Sequence, residues 1–293
     1  MLVKLAILHK VSEDIARQCS AITGLEVVLN DPKDAEIQLA FRNFFPNPSL
    51  TMIQTISAGV DHVKFSEIPE EVTICSNAGA FSDPVAEHAF AMLLAHAKKI
   101  CKFESETRAG IYRKDSVISL SGKTLGILGH GGIGRSSARI AKAFGMRVLA
   151  YTRSPSHDQN VDEFVNSADA IFSSSDVVLI ALPLTAKTVN IVNRKLLDQF
   201  HGYAIINVAR ANVVSENDMK SFLSANPDKY YLSDVWWNEP KVVFPLPENA
   251  FLTPHVGGIS KELEDYAVLR ACENIKRYLD GHPENVVNRN EYR

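Results

Sequence analysis

The segment 124–154, TLGILGHGGIGRSSARIAKAFGMRVLAYTRS, constrains the fold more than any other part of the chain. It joins an apolar strand, a GxGxxG turn, a helical run that starts near Ile133, and a second strand. In a βαβ unit of this kind the first glycine permits a tight turn, the second lets the backbone approach a pyrophosphate, and the third allows close helix–strand packing. The free N–H groups at the helix N-terminus favour anions. The predicted dinucleotide site contains Gly129, Gly131, Gly132, Ile133 and Gly134.

The end of the second strand bears on which dinucleotide is bound. Such units usually place an Asp or Glu there to bind the ribose 2′-OH. This chain has Thr152, followed by Arg153 and Ser154. A carboxylate would repel a 2′-phosphate, whereas an arginine and hydroxyl groups can bind one. We therefore predict that NADP is favoured, with NAD as the alternative.

The composition indicates an ordinary globular protein. The chain has 293 residues, of which 46% are hydrophobic and 22% charged, and a net charge of −3. This charge gives no indication of a nucleic-acid partner, and no apolar stretch is long enough to span a bilayer. The four cysteines, Cys19, Cys75, Cys101 and Cys272, are scattered without metal-binding spacing. We expect free thiols in a reducing compartment, the cytoplasm, and no metal site.

Strand-like and helix-like segments alternate along the whole chain, which predicts an α/β fold with parallel sheets. The candidate strands are 2–8, 25–29, 37–41, 52–56, 72–75, Thr124–Leu128, 177–182, 203–208 and 230–235. A largely apolar helix is predicted over 84–101, after a capping Ser82-Asp83-Pro84 start. Such a helix should be buried as a domain connector or at a subunit interface. The apolar spacing predicts a last helix over Lys261–Leu279.

Three polar residues follow strand ends in the second half: Arg210, Glu239 and His255. In open α/β sheets ligands bind beyond the carboxyl ends of the strands, so all three can face the crevice that holds the dinucleotide. An arginine fork suits a planar α-keto carboxylate. A histidine beside a carboxylate has its protonated form favoured, which suits it to protonate an alkoxide.

The chain resembles the D-isomer-specific 2-hydroxyacid dehydrogenases over nearly its whole length. The segments that carry this resemblance are SAGVDHV (57–63), NAGAFSDPVAEHAFAMLLA (77–95), GKTLGILGHGGIG (122–134), ALPLTAKTVNIVN (181–193), INVARA (206–211), DVWWNEP (234–240), TPHVGG (253–258) and GHPENVVN (281–288). The Arg-to-Glu spacing, 239 − 210 = 29, also matches the family's pattern.

The resemblance implies a role for each site residue. Arg210 would orient the substrate, His255 would donate or accept the proton with Glu239 as its partner, and the backbone around Ala58 and Gly59 would bind the substrate carboxylate. Asp234 would contact the nicotinamide carboxamide. The other implied cofactor contacts are Leu182, Pro183, Thr188, Val208 and Gly257.

The resemblance also implies the domain organisation. A Rossmann domain with a doubly wound parallel sheet would span 96–261. A smaller flavodoxin-like α/β substrate domain would be discontinuous, made from 1–95 and 262–293, and the protein would form a homodimer. Two positions depart from the family's pattern: Ala211 replaces a common glycine, and Thr152 replaces the common aspartate.

The expected function is hydride transfer between NADPH and a small 2-keto or 2-hydroxy acid, such as glyoxylate, hydroxypyruvate or glycerate. Two alternatives stay open: a phosphoglycerate dehydrogenase, although no regulatory extension follows the last helix, and a dinucleotide-sensing scaffold like the family's corepressors. A formate dehydrogenase is rejected because that group has glutamine where Glu239 stands.

Overall fold

The computed structural model describes residues 3–155, 157–241 and 247–292. The chain forms two compact units, one made of residues 1–81 and 259–293 and the other of residues 82–258. Each unit has a parallel β-sheet with helices packed against it, and each has its own buried core. The predicted α/β fold class is confirmed.

The first unit contains a five-stranded sheet of order β2-β1-β3-β4-β5, in which every described strand pair is parallel. This is the flavodoxin-like strand order. The strands are β1 (Lys4–Ile7), β2 (Glu26–Leu29), β3 (Ile37–Ala40), β4 (Met52–Thr55) and β5 (Thr73–Cys75). Helices α1 (Glu13–Thr23) and α8 (Lys261–Leu279) pack against each other around a core of strand and helix side chains.

The second unit contains a seven-stranded parallel sheet of order β12-β11-β10-β9-β6-β7-β8. The order reverses beside β6, as in the Rossmann doubly wound sheet, so the carboxyl ends of β6 and β9 flank the switch point. The strands are β6 (Thr124–Leu128), β7 (Arg147–Tyr151), β8 (Glu163–Phe164), β9 (Val177–Ile180), β10 (Ala204–Asn207), β11 (Tyr230–Ser233) and β12 (Ala250–Leu252). The helices are α2 (Ser82–Ala97), α3 (Ile100–Arg108), α4 (Gly132–Ala143), α5 (Ala168–Ser174), α6 (Arg194–Leu197) and α7 (Glu216–Ala225).

The predicted strands all occur, although most are one to three residues shorter than expected because the ladder bonds stop before the apolar run does. Leu2, the first residue of the predicted strand 2–8, lies outside the described residues. The last helix has the predicted bounds, Lys261–Leu279.

The predicted helix 84–101 is wrong in one respect, because it is interrupted. Lys99 adopts a left-handed conformation with φ 54°, which ends α2 and starts α3. One face of α2 is buried, whereas no residue of α3 is. Helix α2 packs on α4 and β10, so it lies in the second unit, and the units divide at 81/82 and 258/259 rather than at the predicted 95/96 and 261/262.

Within the described part of the chain, the helices are too short or too polar to cross a lipid bilayer.

Candidate active site

The glycine turn after β6 is built for close backbone contact. Gly129 has φ +105°, and a Cβ there would lie 2.7 Å from the Ala181 carbonyl oxygen. A Cβ on Gly134 would lie 2.4 Å from the Gly129 carbonyl oxygen and 3.1 Å from Cγ2 of Ile127. A side chain at Gly129 would therefore collide with the backbone after β9, and one at Gly134 would push helix and strand apart. These are the tight-turn and close-packing roles expected for the first and third glycines.

The second glycine of the turn meets open space instead. A Cβ on Gly131 would have no heavy atom within 4 Å. Gly131 is the N-cap of α4, and Gly132 and Ile133 form the helix's first turn. The first N–H groups of a helix have no intrahelical acceptor and attract anions. Open space at Gly131, next to these donors, lets a dinucleotide pyrophosphate approach the backbone, so the residues present suit the group that the sequence predicts.

The loop after β7 is where the sequence predicts the adenosine ribose. Thr152 is half-buried, whereas Arg153 and Ser154 are exposed. The loop is tied back to the glycine turn by His130, whose Nε2 lies 3.0 Å from Oδ2 of Asp158. The imidazole of His130 is buried against the ring of Phe164, and this burial lowers the pKa of His130. A neutral His130 that donates from Nε2 thus holds Asp158, and with it the loop, in place.

The predicted contacts after β9 lie on a loop that is braced internally. The hydroxyl of Thr188 donates to the Pro183 carbonyl at 2.6 Å and accepts from the Thr185 N–H at 2.8 Å. Leu182 is half-buried and packs on the core of the unit. The loop follows a strand that neighbours β6, so it lies at the same sheet edge as the glycine turn.

Arg210 follows the carboxyl end of β10, after the buried Val208 and Ala209. The amide of Asn207, itself fully buried, sets the turn: its Oδ1 accepts from the Ala209 N–H at 3.0 Å and its Nδ2 donates to the Arg210 carbonyl at 3.1 Å. Ala211 opens a short 3₁₀ turn, Ala211–Val213, in which glycine's freedom is not needed. The alanine is therefore compatible with presenting Arg210 here.

Glu239 and His255 form a direct pair. Nδ1 of His255 lies 2.8 Å from Oε2 of Glu239, while Oε1 of Glu239 accepts from the Trp236 N–H at 2.6 Å. The carboxylate can only accept, so Nδ1 carries a proton and Nε2 is the ring atom left for proton exchange. The His255 side chain is 47% exposed and Glu239's is 35%, so both can be reached from solvent.

Two tryptophans fix the turn that carries Glu239. Both Trp236 and Trp237 are buried, and the Trp237 ring stacks on Tyr231 of β11 at a centroid distance of 5.8 Å. The indole N–H of Trp237 donates to the Val214 carbonyl at 3.0 Å. The anchored aromatic pair gives Glu239 a defined position although it lies on a loop.

Asp234 holds the loop that carries His255. Its Oδ1 accepts from the Thr253 hydroxyl at 2.6 Å and the Val256 N–H at 2.9 Å, and its Oδ2 accepts from the Gly257 N–H at 2.8 Å. These donors lie on both sides of His255, which has φ +56°. A non-glycine residue in that region costs roughly 1–2 kcal/mol. The buried carboxylate offsets this strain, a role that the sequence did not indicate.

Ala58 and Gly59 lie in the first unit, just after β4. The Ser57 hydroxyl donates to the Gly59 carbonyl at 2.8 Å, and Thr55 donates to the Ser57 carbonyl at 2.6 Å. Among the residues that the structure describes, no acceptor bonds the Ala58 or Gly59 N–H. The turn therefore presents two backbone donors, as a site for a carboxylate requires.

In the second unit, three residues that lie 16 to 45 positions apart in the sequence come to the carboxyl end of the same sheet. Arg210, Glu239 and His255 follow the neighbouring parallel strands β10, β11 and β12. The sequence did not indicate the bonds that Asn207, Thr253 and His130 make to the site loops. The glycine pattern contains His130, but nothing in the local sequence links it to Asp158.

Comparison with known proteins identifies the family. The profile of the D-isomer specific 2-hydroxyacid dehydrogenase, NAD binding domain, matches residues 90–257. The chain is 30% identical to the glyoxylate reductase of Thermococcus litoralis, over 83% of this chain and 78% of that one. It is 28% identical to the glyoxylate reductase of Pyrococcus furiosus, over 94% of this chain and 85% of the relative.

A solved structure extends the match. A glycerate dehydrogenase related protein from Thermoplasma acidophilum is 47% identical, covers 94% of this chain and 100% of its own, and superposes with a TM-score of 0.73. The family profile spans more than half of the chain, and its glycine turn and following strands are those described above. The chain therefore belongs to the D-isomer-specific 2-hydroxyacid dehydrogenases, and it is an NAD(P)-dependent oxidoreductase of that family.

Proposed function

We propose that the protein reduces a small 2-keto acid, such as glyoxylate or hydroxypyruvate, to the 2-hydroxy acid, with NADPH as the favoured cofactor. The observation that carries this proposal is the Glu239–His255 pair, 2.8 Å apart, on strands that neighbour the one presenting Arg210. The names of the relatives support the substrate class, since two of them are glyoxylate reductases and one is related to glycerate dehydrogenase.

Each residue has one task in this proposal. Arg210 binds the keto acid through its forked N–H donors, which fit a carboxylate and a ketone oxygen better than a point charge does. His255 delivers the proton from Nε2 to the former ketone oxygen, and Glu239 stabilises the positive imidazolium beforehand. The cofactor, when bound, supplies the hydride. The same residues can catalyse the reverse reaction, oxidation of the 2-hydroxy acid, in which Nε2 of His255 accepts the proton instead.

The substrate carboxylate is assigned to the N–H groups of Ala58 and Gly59. Both residues are small, which leaves the carboxylate to backbone donors and suits a short substrate. The remaining proposals follow the sequence: a cytoplasmic enzyme that acts on a small molecule and has no nucleic-acid partner.

The preference for NADPH is assigned to Arg153. The ribose-binding carboxylate is absent at Thr152, and the exposed Arg153 and Ser154 offer a cation and a hydroxyl to a 2′-phosphate. A crystal structure of a D-isomer specific 2-hydroxyacid dehydrogenase from Xanthobacter autotrophicus Py2, 25% identical over 100% of both chains with a TM-score of 0.82, is a complex with NADPH. One charge-assisted contact contributes roughly 1.5–3 kcal/mol.

We expect a preference of about 10- to 100-fold for NADPH over NADH in kcat/KM, because each 1.4 kcal/mol is tenfold. The measurement is a kinetic panel of glyoxylate, hydroxypyruvate and a bulky aromatic keto acid with both cofactors. Arg153→Ala should bring the two cofactors within a few-fold of each other, whereas Arg147→Ala, an exposed arginine paired with Glu163, should leave the preference intact.

Four results would contradict these assignments. Equal use of both cofactors by the wild type, or a preference that Arg153→Ala does not change, removes the assignment to Arg153. A clear preference for the aromatic acid contradicts the short-substrate assignment. No turnover with any member of the panel would favour the dinucleotide-sensing scaffold.

We also propose a homodimer formed through α3 and the segment that follows it. Helix α3 buries none of its residues, and Ile100, Ile111, Tyr112 and Val117 are 54%, 46%, 87% and 46% exposed. A nine-residue helix with so little burial is marginal in water. A groove of about 650 Å³ beside it is lined by His96, Tyr203, Tyr230 and Phe251. Burial lowers the pKa of His96, so its imidazole is neutral at neutral pH and forms an apolar wall with the aromatic rings, while Lys99, Lys102 and Asp228 also line the groove.

A second copy of this chain is the occupant that we assign, because one chain presents both the exposed apolar side chains and, beside them, the groove. Light scattering at micromolar concentration should give the mass of a dimer. Tyr112→Asp should weaken association by at least about tenfold, since a buried aromatic anchor is worth about 2 kcal/mol or more. Lys33→Asp, an exposed lysine of the other unit, is the control for the added charge. A monomeric wild type would refute the dimer.

A further inference from the structure

We propose that His88 and Thr253 are positioning residues for His255, which they reach through the carboxylate of Asp234. This inference rests on the proposed role of His255 as the proton donor. Neither His88 nor Thr253 has a role in the function proposed above, and the two residues lie 165 positions apart in the sequence.

The three side chains form a directed chain of hydrogen bonds. The Thr253 hydroxyl lies 2.6 Å from Oδ1 of Asp234, and Nε2 of His88 lies 2.9 Å from the same hydroxyl oxygen. Nε2 of His88 also lies 3.4 Å from Oδ1 of Asp234, so its contact with the hydroxyl is the shorter of the two. A carboxylate only accepts, so the hydroxyl proton points to Asp234 and the hydroxyl oxygen accepts from Nε2–H of His88. Bonds arranged in series polarise and strengthen one another where the surroundings are poor in water. Asp234 is 3% exposed, which meets that condition.

The loop contacts show what this chain of bonds does. Asp234 also binds the N–H groups of Val256 and Gly257, so it holds residues on both sides of His255. Because His255 has φ +56°, the loop needs this support to keep the imidazole opposite Glu239. The fit is tight: a Cβ on Gly257 would lie 3.0 Å from Oδ2 of Asp234 and 3.4 Å from His88.

Helix α2 supplies the rigid support. His88 lies in its middle, between the buried residues Ala86 and Ala89, and α2 packs on α4 and β10. His88 thus connects the loop that bears His255 to a helix that is anchored in the core. The geometry assigns to it the task of fixing the Thr253 hydroxyl, and through Asp234 the direction of the His255 ring.

The test uses isosteric pairs. Thr253→Val keeps the shape but removes the hydroxyl, whereas Thr253→Ser keeps the hydroxyl; His88→Leu removes the donor, whereas His88→Gln keeps an N–H donor. We expect kcat to fall about 5- to 50-fold in Thr253→Val and His88→Leu, and to recover to within about threefold of wild type in the Ser and Gln variants. The dissociation constant of NADPH, measured by fluorescence titration, should stay within about threefold.

A double variant tests whether His88 acts through Thr253. If it does, adding His88→Leu to Thr253→Val lowers kcat no further, because residues that act as one unit are not additive. Multiplied losses in the double variant, or equal kcat for the Val and Ser variants, would overturn the inference. Thermal unfolding of all variants distinguishes the positioning role from a merely structural one. In a merely structural role, kcat would fall with the melting temperature, and the Ser and Gln variants would not restore kcat.

Turnover of a His255→Ala variant distinguishes a failure of this inference from a failure of the proposed function. An active His255→Ala variant would overturn the proposed function, and the inference with it. An inactive His255→Ala variant together with wild-type turnover in Thr253→Val and His88→Leu would overturn the inference alone.

Discussion

Turnover of the His255→Ala variant is expected to fall by about 100-fold or more, the usual contribution of a general acid, while NADPH binding stays largely intact. The reason is geometric: Glu239 holds Nδ1 at 2.8 Å, which leaves Nε2 as the ring atom that can exchange a proton with substrate. The measurement is kcat for reduction of glyoxylate or hydroxypyruvate, with the NADPH dissociation constant from fluorescence titration. His201→Ala, which removes an exposed imidazole of the same unit, is the control.

Glu239, the partner of His255, allows a second test of this pair through the pH dependence of the rate. Glu239→Gln keeps an acceptor for the Trp236 N–H but removes the negative charge beside the ring. Without that charge the imidazolium is less favoured, so the pH at which reduction loses half its rate should move to lower pH. A His255→Ala variant with near wild-type turnover, or a Glu239→Gln variant with an unchanged pH profile, would refute the assigned pair.

Arg210→Lys is expected to lower kcat/KM for the keto acid by about 10- to 100-fold, the loss of one charge-assisted contact. Lysine keeps the positive charge but has no planar fork, so it cannot bind a carboxylate and a ketone oxygen together. The buried amide of Asn207 fixes the turn, which prevents the backbone from moving to compensate. Steady-state kinetics with glyoxylate and hydroxypyruvate measure the effect.

A control substitution shows whether the fall in kcat/KM is specific to Arg210 or follows from replacing any arginine of this unit with lysine. Arg147→Lys changes an exposed arginine that pairs with Glu163 at the surface of the same unit, and it should leave kcat/KM within about twofold. Unchanged kcat/KM in Arg210→Lys would reject substrate orientation as the role of Arg210. A loss confined to NADPH binding would reject it as well, and would assign the arginine to the cofactor.

The sequence alone determined the family, the α/β fold and the candidate pair of Glu239 and His255. These are properties of local patterns. The glycine spacing of the turn after β6 has a unique backbone requirement, which the crowding at Gly129 and Gly134 confirms. Apolar runs of four to six residues between helical segments predict parallel strands, and the polar residues that follow them must lie at one sheet edge.

Some local sequence patterns did not predict the structure, because contacts with distant residues replaced the local ones. Ser215 and Asp218 are spaced as a capping pair, yet the Ser215 side chain makes no cap bond, and Asp218 instead accepts from the Arg194 N–H at 3.1 Å. The helix predicted over 84–101 breaks at Lys99, which is neither a glycine nor a proline. Nothing in the pattern therefore indicated a break there.

What only the tertiary structure decided is how the site loops are held. His88 meets Thr253 across 165 residues, and His130 meets Asp158 across 28, with no periodicity or motif to link either pair. Asp234 was assigned to the cofactor by resemblance, but its bonds to Thr253, Val256 and Gly257 became visible only when the loop was folded around it. Local sequence specifies which chemical groups follow each strand, because strand and turn propensities act over a few residues. The orientation of those groups depends on buried hydrogen bonds between distant segments, which form only once the sheet and its helices have packed.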